Sequence, residues 1–233
     1  MSPELVPAMI AWLAVFIFST TLHEAAHAWA ALRLGDETAY QGGQVSLNPV
    51  PHMQREPFGM LIVPIVSFIL YSGQWMIGWA SAPYDPRWAY HYPKKAAWMA
   101  LAGPVSNLLL SAVGLLGLWA GLALGVFERG YVSFAQIVEP SAMTGSQGLS
   151  MVLSILFALN LVLFVFNLIP LPPMDGSAVI QLFMSEEMAQ GYQRLMANGM
   201  WSLVGLVAAW QFFPQIFRPL FFGAVELLYR LPT

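Results

Sequence analysis

The sequence predicts an all-α integral membrane protein: a bundle of five or six transmembrane helices, with a proline-broken helix at a metal site and short extended pieces in the first loop. Three observations carry this. Of 233 residues, 58% are hydrophobic and only 9% are Asp, Glu, Lys or Arg, whereas soluble proteins average about 25% charged residues, so a water-facing surface could not be covered. Apolar runs long enough to cross roughly 30 Å of hydrocarbon at about 1.5 Å per residue recur along the chain. Alternating strand patterns are missing, and lipid admits only helices or closed barrels as spanning structures, so helices remain.

The first run, residues 8–31, follows Glu4 without any Lys or Arg and holds His23, Glu24 and His27 before Arg33. A signal-peptide core carries no such groups, so the segment is expected to stay in the mature chain. Residues 35–57 read as a polar loop with short extended pieces around Gly42-Gly43 and at 45–47. The run at 58–80 either spans or re-enters the membrane. The run at 96–126 is longer than a bilayer needs, and Gly103, Pro104, Gly114 and Gly117 can tilt or kink it. After a second polar stretch at 127–148 comes the run at 149–169, ended by Pro170, Pro172 and Pro173. Glu186-Glu187 and residues 188–196 read as a solvated connection. Two last runs, 197–213 and 215–231, flank Phe213-Pro214 and form either a tight hairpin or one long kinked helix. Trp75, Trp79, Tyr84, Trp88, Tyr90 and Tyr92 fit an interfacial belt or ordinary packing at helix ends.

Neither polar stretch is long enough for a domain of its own. The chain therefore reads as a single polytopic membrane domain, 1–233, with a core at 8–184 and a C-terminal helical hairpin at 185–233. The net charge of −3 comes with no basic run beyond Lys94-Lys95, which leaves no electrostatic footprint for nucleic acid. If all six runs cross, Arg87, Lys94, Lys95, Arg194 and Arg230 fall on the N-terminal side and Arg33, Arg55, Arg129 and Arg218 on the other. That is too even to orient the chain. With no cysteine, any metal must be held by His and carboxylate.

Ionisable groups at membrane depth cost several kcal/mol unless they are paired or functional, so the few inside apolar runs are informative. His23-Glu24-Ala25-Ala26-His27 places two imidazoles four residues apart, on one helical face and about 6 Å apart along the axis. Both can reach one metal ion, while Glu24, about 100° around the helix, can reach a water beside it. The plainer reading is a polar patch at a helix end. A catalytic zinc usually takes three protein ligands, and Asp175, after the proline-broken end of the 149–169 run, is the best candidate for the third. Backbone this irregular is tolerated beside lipid only around a protein-lined or watery cavity. Pro172-Pro173-Met174-Asp175-Gly176 otherwise reads as a surface turn. His52 is a spare ligand or a solvated loop histidine, and His91, between two tyrosines, belongs to the interface.

His23-Glu24-Ala25-Ala26-His27, then Ala102-Gly103-Pro104-Val105-Ser106-Asn107, then Asn167 to Gly176 with Pro170 and Asp175-Gly176, resemble in that order the HExxH, AGPxxN and NxxPxxxxDG motifs of the site-2 protease family of intramembrane zinc metalloproteases. Gly35-Asp36, Ser46-Leu47-Asn48-Pro49 and Gly78-Trp79-Ala80-Ser81-Ala82-Pro83 resemble connecting elements of its small bacterial and archaeal members without a PDZ domain, and no polar stretch here could hold such a domain. The family's His-hydrophobic-Asp-Pro pattern after Asn-Pro is replaced by Pro51-His52-Met53-Gln54.

The resemblance implies one Zn²⁺ per chain held by His23, His27 and Asp175. Glu24 would act as general base and acid, and Asn167 would hydrogen-bond the substrate or the developing oxyanion. Asn107 reads as a helix-packing residue. It also implies regulated cleavage of single-pass membrane proteins, such as anti-sigma factors or membrane-tethered regulators, in a prokaryotic plasma membrane. By the same resemblance the His23 helix and the Asp175 helix run parallel with one crossing between them. A helical substrate must unwind before cleavage, and residues 44–47 are a candidate strand edge for it. Rival readings are a membrane metal-ion carrier using the same His/Asp site, against which the absence of inverted repeats weighs, and a silent helix-binding relative. The oligomeric state is left open.

Overall fold

A computed structural model describes residues 5–142 and 145–231; Glu4, Met143 and Thr144 lie outside them. The first helix, α1 (Leu5–Leu34), buries Trp12, Phe16, Ser19, His23, His27 and Ala30 at three- and four-residue spacing, one stripe of a 3.6-residue repeat. It ends at Gly35, whose φ of +106° suits glycine. There the Gly35 and Asp36 amides both donate to the Ala31 carbonyl.

The first loop differs from expectation. It carries two short helices, α2 (Thr38–Gln41) and α3 (Pro49–Arg55), and residues 42–47 are turns and bends with no strand. Asn48 caps α3 by accepting from the Val50 amide, and Pro49 occupies its first turn. A π-helical turn (Phe58–Ile62) then runs into α4 (Val63–Leu70). This unit lies at 111° to α3, and at 5 and 8 residues it rises only about 20 Å. The 58–80 run is therefore no straight crossing.

Beyond it, residues 74–85 form an irregular extended segment leading to α5 (Pro86–His91) and α6 (Pro93–Ala123). The only strands among the described residues, β1 (Phe127–Arg129) and β2 (Val138–Pro140), pair antiparallel in the second polar stretch. Helix α7 (Gln147–Asn167) follows. Then come α8 (Gly176–Val179), a 3₁₀ turn (Ile180–Phe183), the amphipathic α9 (Glu186–Met196) and α10 (Gly199–Arg230).

Helix α10 corrects the C-terminal hairpin expected at 185–233. It runs unbroken for 32 residues with Pro214 and Pro219 inside it, because a proline removes one hydrogen bond and kinks a helix without reversing the chain. Among the described residues four helices (α1, α6, α7, α10) are long and apolar enough to cross a membrane, or five if the bent α3–α4 pair counts as one span. The six-span reading falls with the hairpin.

Side-chain bonds fix the helix directions. His27 reaches the Met99 carbonyl and His23 reaches Asn107, so α1 and α6 are antiparallel. Asn107 meets Asn160 and Ser111 meets the Phe157 carbonyl, so α6 and α7 are antiparallel and α1 and α7 parallel. Gly114 permits this closeness, since a Cβ there would lie 2.6 Å from the Phe157 nitrogen.

The core divides by depth. Phe134, Phe157, Phe217 and Phe221 stack between the β-hairpin, α7 and α10. Trp12, Phe16, Phe68 and Leu159 pack α1 against α4 and α7. Trp75 packs against Trp12 and Phe134 instead of joining an interfacial belt. Ala30, Ala31, Trp88, Ala96 and Met99 close the opposite end, beside the histidines.

Candidate metal centre

At that end the three proposed ligands converge. His23 Nε2 and His27 Nε2 lie 2.9 Å apart, and Asp175 Oδ2 lies 3.2 and 3.4 Å from them. The two histidines sit one turn apart on α1, 7% and 8% exposed. Asp175 reaches them because Pro170, Pro172 and Pro173 forbid α7 from continuing, and the chain folds back over its end. Gly176 permits the fold, since a Cβ there would come within 2.4 Å of the Leu168 and Ile169 carbonyl oxygens.

Each imidazole has its far nitrogen engaged. His27 Nδ1 lies 2.9 Å from the Met99 carbonyl, which can only accept, so Nδ1 donates and Nε2 presents its lone pair. His23 Nδ1 lies 2.5 Å from Asn107 Oδ1. Asp175 brings the third group of the cluster, a carboxylate. Its Oδ2 is buried without a hydrogen-bond partner.

Three acceptors thus face one point, and a cation satisfies them together. The space before them is kept clear, because a Cβ on Gly103 would lie 2.4 Å from His27 Nε2 and 2.6 Å from His23 Nε2. The His-His-carboxylate donor set, with all three ligand atoms within 4.8 Å of one another, fits zinc by number and type.

A cavity of about 720 Å³ opens in front of the cluster and is lined by Glu24 and Asn167 as well as the three ligands. Glu24 is 5% exposed. One wall is the extended segment at 80–84. It is anchored at both ends: Ile77 N donates to Ser67 Oγ, Trp79 N to the Gly59 carbonyl, and Asp85 N to Asp36 Oδ2. Between these anchors, the backbone amides of Ala80, Ser81 and Ala82 make no hydrogen bond among the described residues. Helix α9 lines the cavity too, through Tyr192, Gln193 and Arg194. It is tied down by Gln193 bonding the Ala89 carbonyl and Gln181, and by Arg194 bonding the Tyr90 hydroxyl.

Neither spare histidine joins the cluster. His52 is buried and pairs through Nε2 with the Ser46 carbonyl, while His91 pairs with the Arg87 carbonyl. Sequence reasoning missed the Met99 carbonyl, which no side chain announces. It also missed Asn160, the one amide in the interior of a 21-residue apolar helix whose other amides, Gln147 and Asn167, stand at its ends; its cost in lipid was a readable signal.

Helices of spanning length carrying a His-His-Asp cluster beside a buried glutamate have the arrangement of a metalloprotease-type site. The family model for peptidase family M50 matches residues 11–210. The chain belongs to that family, as its resemblance to site-2 proteases implied. YwhC of Bacillus subtilis (strain 168), named as a candidate zinc metalloprotease, is 37% identical over 166 residues, covering 71% of this chain and 65% of that protein. Rip2 of Mycolicibacterium smegmatis, named likewise, is 28% identical over 178 residues, 75% of this chain and 58% of that protein. Rip2 of Mycobacterium tuberculosis (H37Rv) is 28% identical over 231 residues, 94% and 73%. The chain thus spans less than two thirds of the first two relatives. No solved structure matches it.

Proposed function

We propose that the chain is an intramembrane zinc metalloprotease that hydrolyses a peptide bond in or near the transmembrane segment of single-pass membrane proteins. The observation that carries this reading is the convergence of His23, His27 and Asp175 with Glu24 in one cavity at the ends of spanning helices. Held by those three residues, zinc supplies Lewis acidity that polarises the scissile carbonyl and acidifies water. Glu24, next to His23, takes the proton of the attacking water and returns it to the leaving amine. Asn167, at the end of α7 and on the cavity wall, hydrogen-bonds the substrate or its oxyanion. The free amides at 80–82 replace residues 44–47 as the edge along which an unwound substrate pairs.

With α1, α6, α7 and α10 as crossings, Arg33, Arg55, Arg87, Lys94, Lys95 and Arg194 share the side of the metal centre. Arg129 and Arg230 lie on the other, and Arg218 is inside α10, nearer that end. By the positive-inside rule the site faces the cytoplasm of a prokaryotic plasma membrane, where cleaving an anti-sigma factor or a tethered regulator releases its cytoplasmic part.

The test is zinc content and cleavage of a model transmembrane substrate by detergent-purified protein. Wild type holds close to one zinc and cleaves. Glu24→Gln keeps the zinc and loses cleavage by about 10²- to 10⁴-fold, while Asp175→Ala weakens zinc binding. Zinc bound without cleavage, but with metal flux into liposomes, would move the reading to a carrier.

A further inference from the structure

Behind the metal centre, on the side away from the cavity, a chain of buried amides leads from His23 to the middle of α7. His23 Nδ1 meets Asn107 Oδ1 at 2.5 Å, Asn107 Nδ2 donates to Asn160 Oδ1 at 2.8 Å, and Asn160 Nδ2 donates to both Ser19 Oγ and the Leu156 carbonyl at 2.8 Å. Asn107, Asn160 and Ser19 are each 0% exposed.

The last link sets the polarity of the rest. A backbone carbonyl can only accept, so the end of Asn160 facing Leu156 must be its NH₂. The opposite end is then a carbonyl, which forces Asn107 to donate toward it and to present its own oxygen to His23. That oxygen accepts only if His23 carries its proton on Nδ1, leaving Nε2 as a lone pair facing His27 and Asp175. His27 has its tautomer set directly by the Met99 carbonyl. His23 has no such carbonyl partner and receives the same instruction through two side chains.

We propose that Asn160 is a positioning residue for the metal centre, holding His23 in its ligating tautomer through Asn107. The inference rests on the zinc reading of the site. Outer-shell partners of this kind typically affect metal affinity by about 10- to 100-fold, and the same loss is expected here although Asn160 touches neither metal ligand nor substrate.

The experiment measures zinc affinity by competition with a chromophoric chelator, the visible spectrum of the Co²⁺-substituted protein, and the melting temperature of the metal-free protein. It compares Asn160→Leu and the smaller Asn160→Ala with Ser111→Ala, which removes one α6–α7 hydrogen bond away from the site. Asn160→Leu and Asn160→Ala are expected to lose about 10- to 100-fold in zinc affinity and to alter the Co²⁺ spectrum. Ser111→Ala is expected to keep both. In its protonated form Asn160→Asp donates to the Leu156 carbonyl through its hydroxyl and accepts from Asn107 through its carbonyl oxygen, and should retain affinity within a few-fold. In Asn107→Leu the relay is already cut, so adding Asn160→Leu should cost no further affinity. Additive losses, or losses in the Asn160 variants that match Ser111→Ala or merely follow the metal-free melting temperature, would overturn the proposal. A wild-type protein that binds no zinc would instead defeat the metal reading itself.

Discussion

Gly103 offers the sharpest test of the geometry. In Gly103→Ala the new methyl carbon would sit 2.4 Å from His27 Nε2, 2.5 Å from His27 Cε1 and 2.6 Å from His23 Nε2, where ordinary contact is about 3.5 Å. Both rings must therefore give by roughly 1 Å. They are not free to do so, because the Met99 carbonyl and Asn107 hold them from behind, and each such bond is worth about 1 kcal/mol. Overpacking of this kind costs about 1–3 kcal/mol, and metal–ligand distances tolerate only about 0.2 Å. A loss near 3 kcal/mol corresponds to roughly a hundredfold weaker zinc binding. Competition titration of purified protein measures it, with Gly148→Ala as the control, since nothing lies within 4 Å of a Cβ at that position. Zinc affinity within threefold of wild type in Gly103→Ala would refute the reasoning.

Three further outcomes are expected. Asn167→Ala should leave zinc content unchanged and cut kcat by about 10²-fold if its amide serves the transition state; a change confined to KM would assign it to substrate binding alone. Ala82→Pro removes one of the free amides on the cavity wall, at a site that Pro83 already restricts to extended backbone. Cleavage should fall while metal content and melting temperature hold, and unchanged turnover would clear the segment of substrate pairing. Because the chain has no cysteine, single substitutions report membrane sidedness cleanly. In intact cells an impermeant maleimide should label Glu128→Cys and should label Gln41→Cys only after lysis, and the reverse pattern would invert the orientation.

What was legible in the sequence follows from what lipid penalises. An ionisable side chain in an apolar run is costly, so His23, Glu24 and His27 stood out, and prolines that end a helix pointed to Asp175. The errors fall where the cost is small or the signal local. Pro214 marks a kink as readily as a turn, and only packing along α10 decides between them. Gly42-Gly43 and the residues after it have strand-like spacing but no partner strand, and the chain turns there instead. Asn107 was legible as a polar group between helices, but its bond to His23 depends on how closely α1 and α6 approach, which is a tertiary fact. The Met99 carbonyl, like any backbone group, is invisible until the fold is known.

The placement of 58–80 decides whether the site exists at all. His23 and His27 lie toward the C-terminal end of α1, and Asp175 lies just past the C-terminal end of α7. These ends share a side of the membrane only if an odd number of crossings separates the two helices. Helix α6 supplies one; a second crossing at 58–80 would carry Asp175 to the far side, roughly 30 Å of hydrocarbon away from the histidines. The parallel course of α1 and α7, each bonded to the antiparallel α6, requires the count to be one, and the 111° bend at the start of that run and its end at Leu70 fit a segment that re-enters. The turn of chain least like a membrane span is thus what brings the third ligand to the other two. It also delivers residues 80–84 to the cavity wall, because a segment that re-enters returns to the side it left. The metal centre and the extended edge beside it are two consequences of one parity.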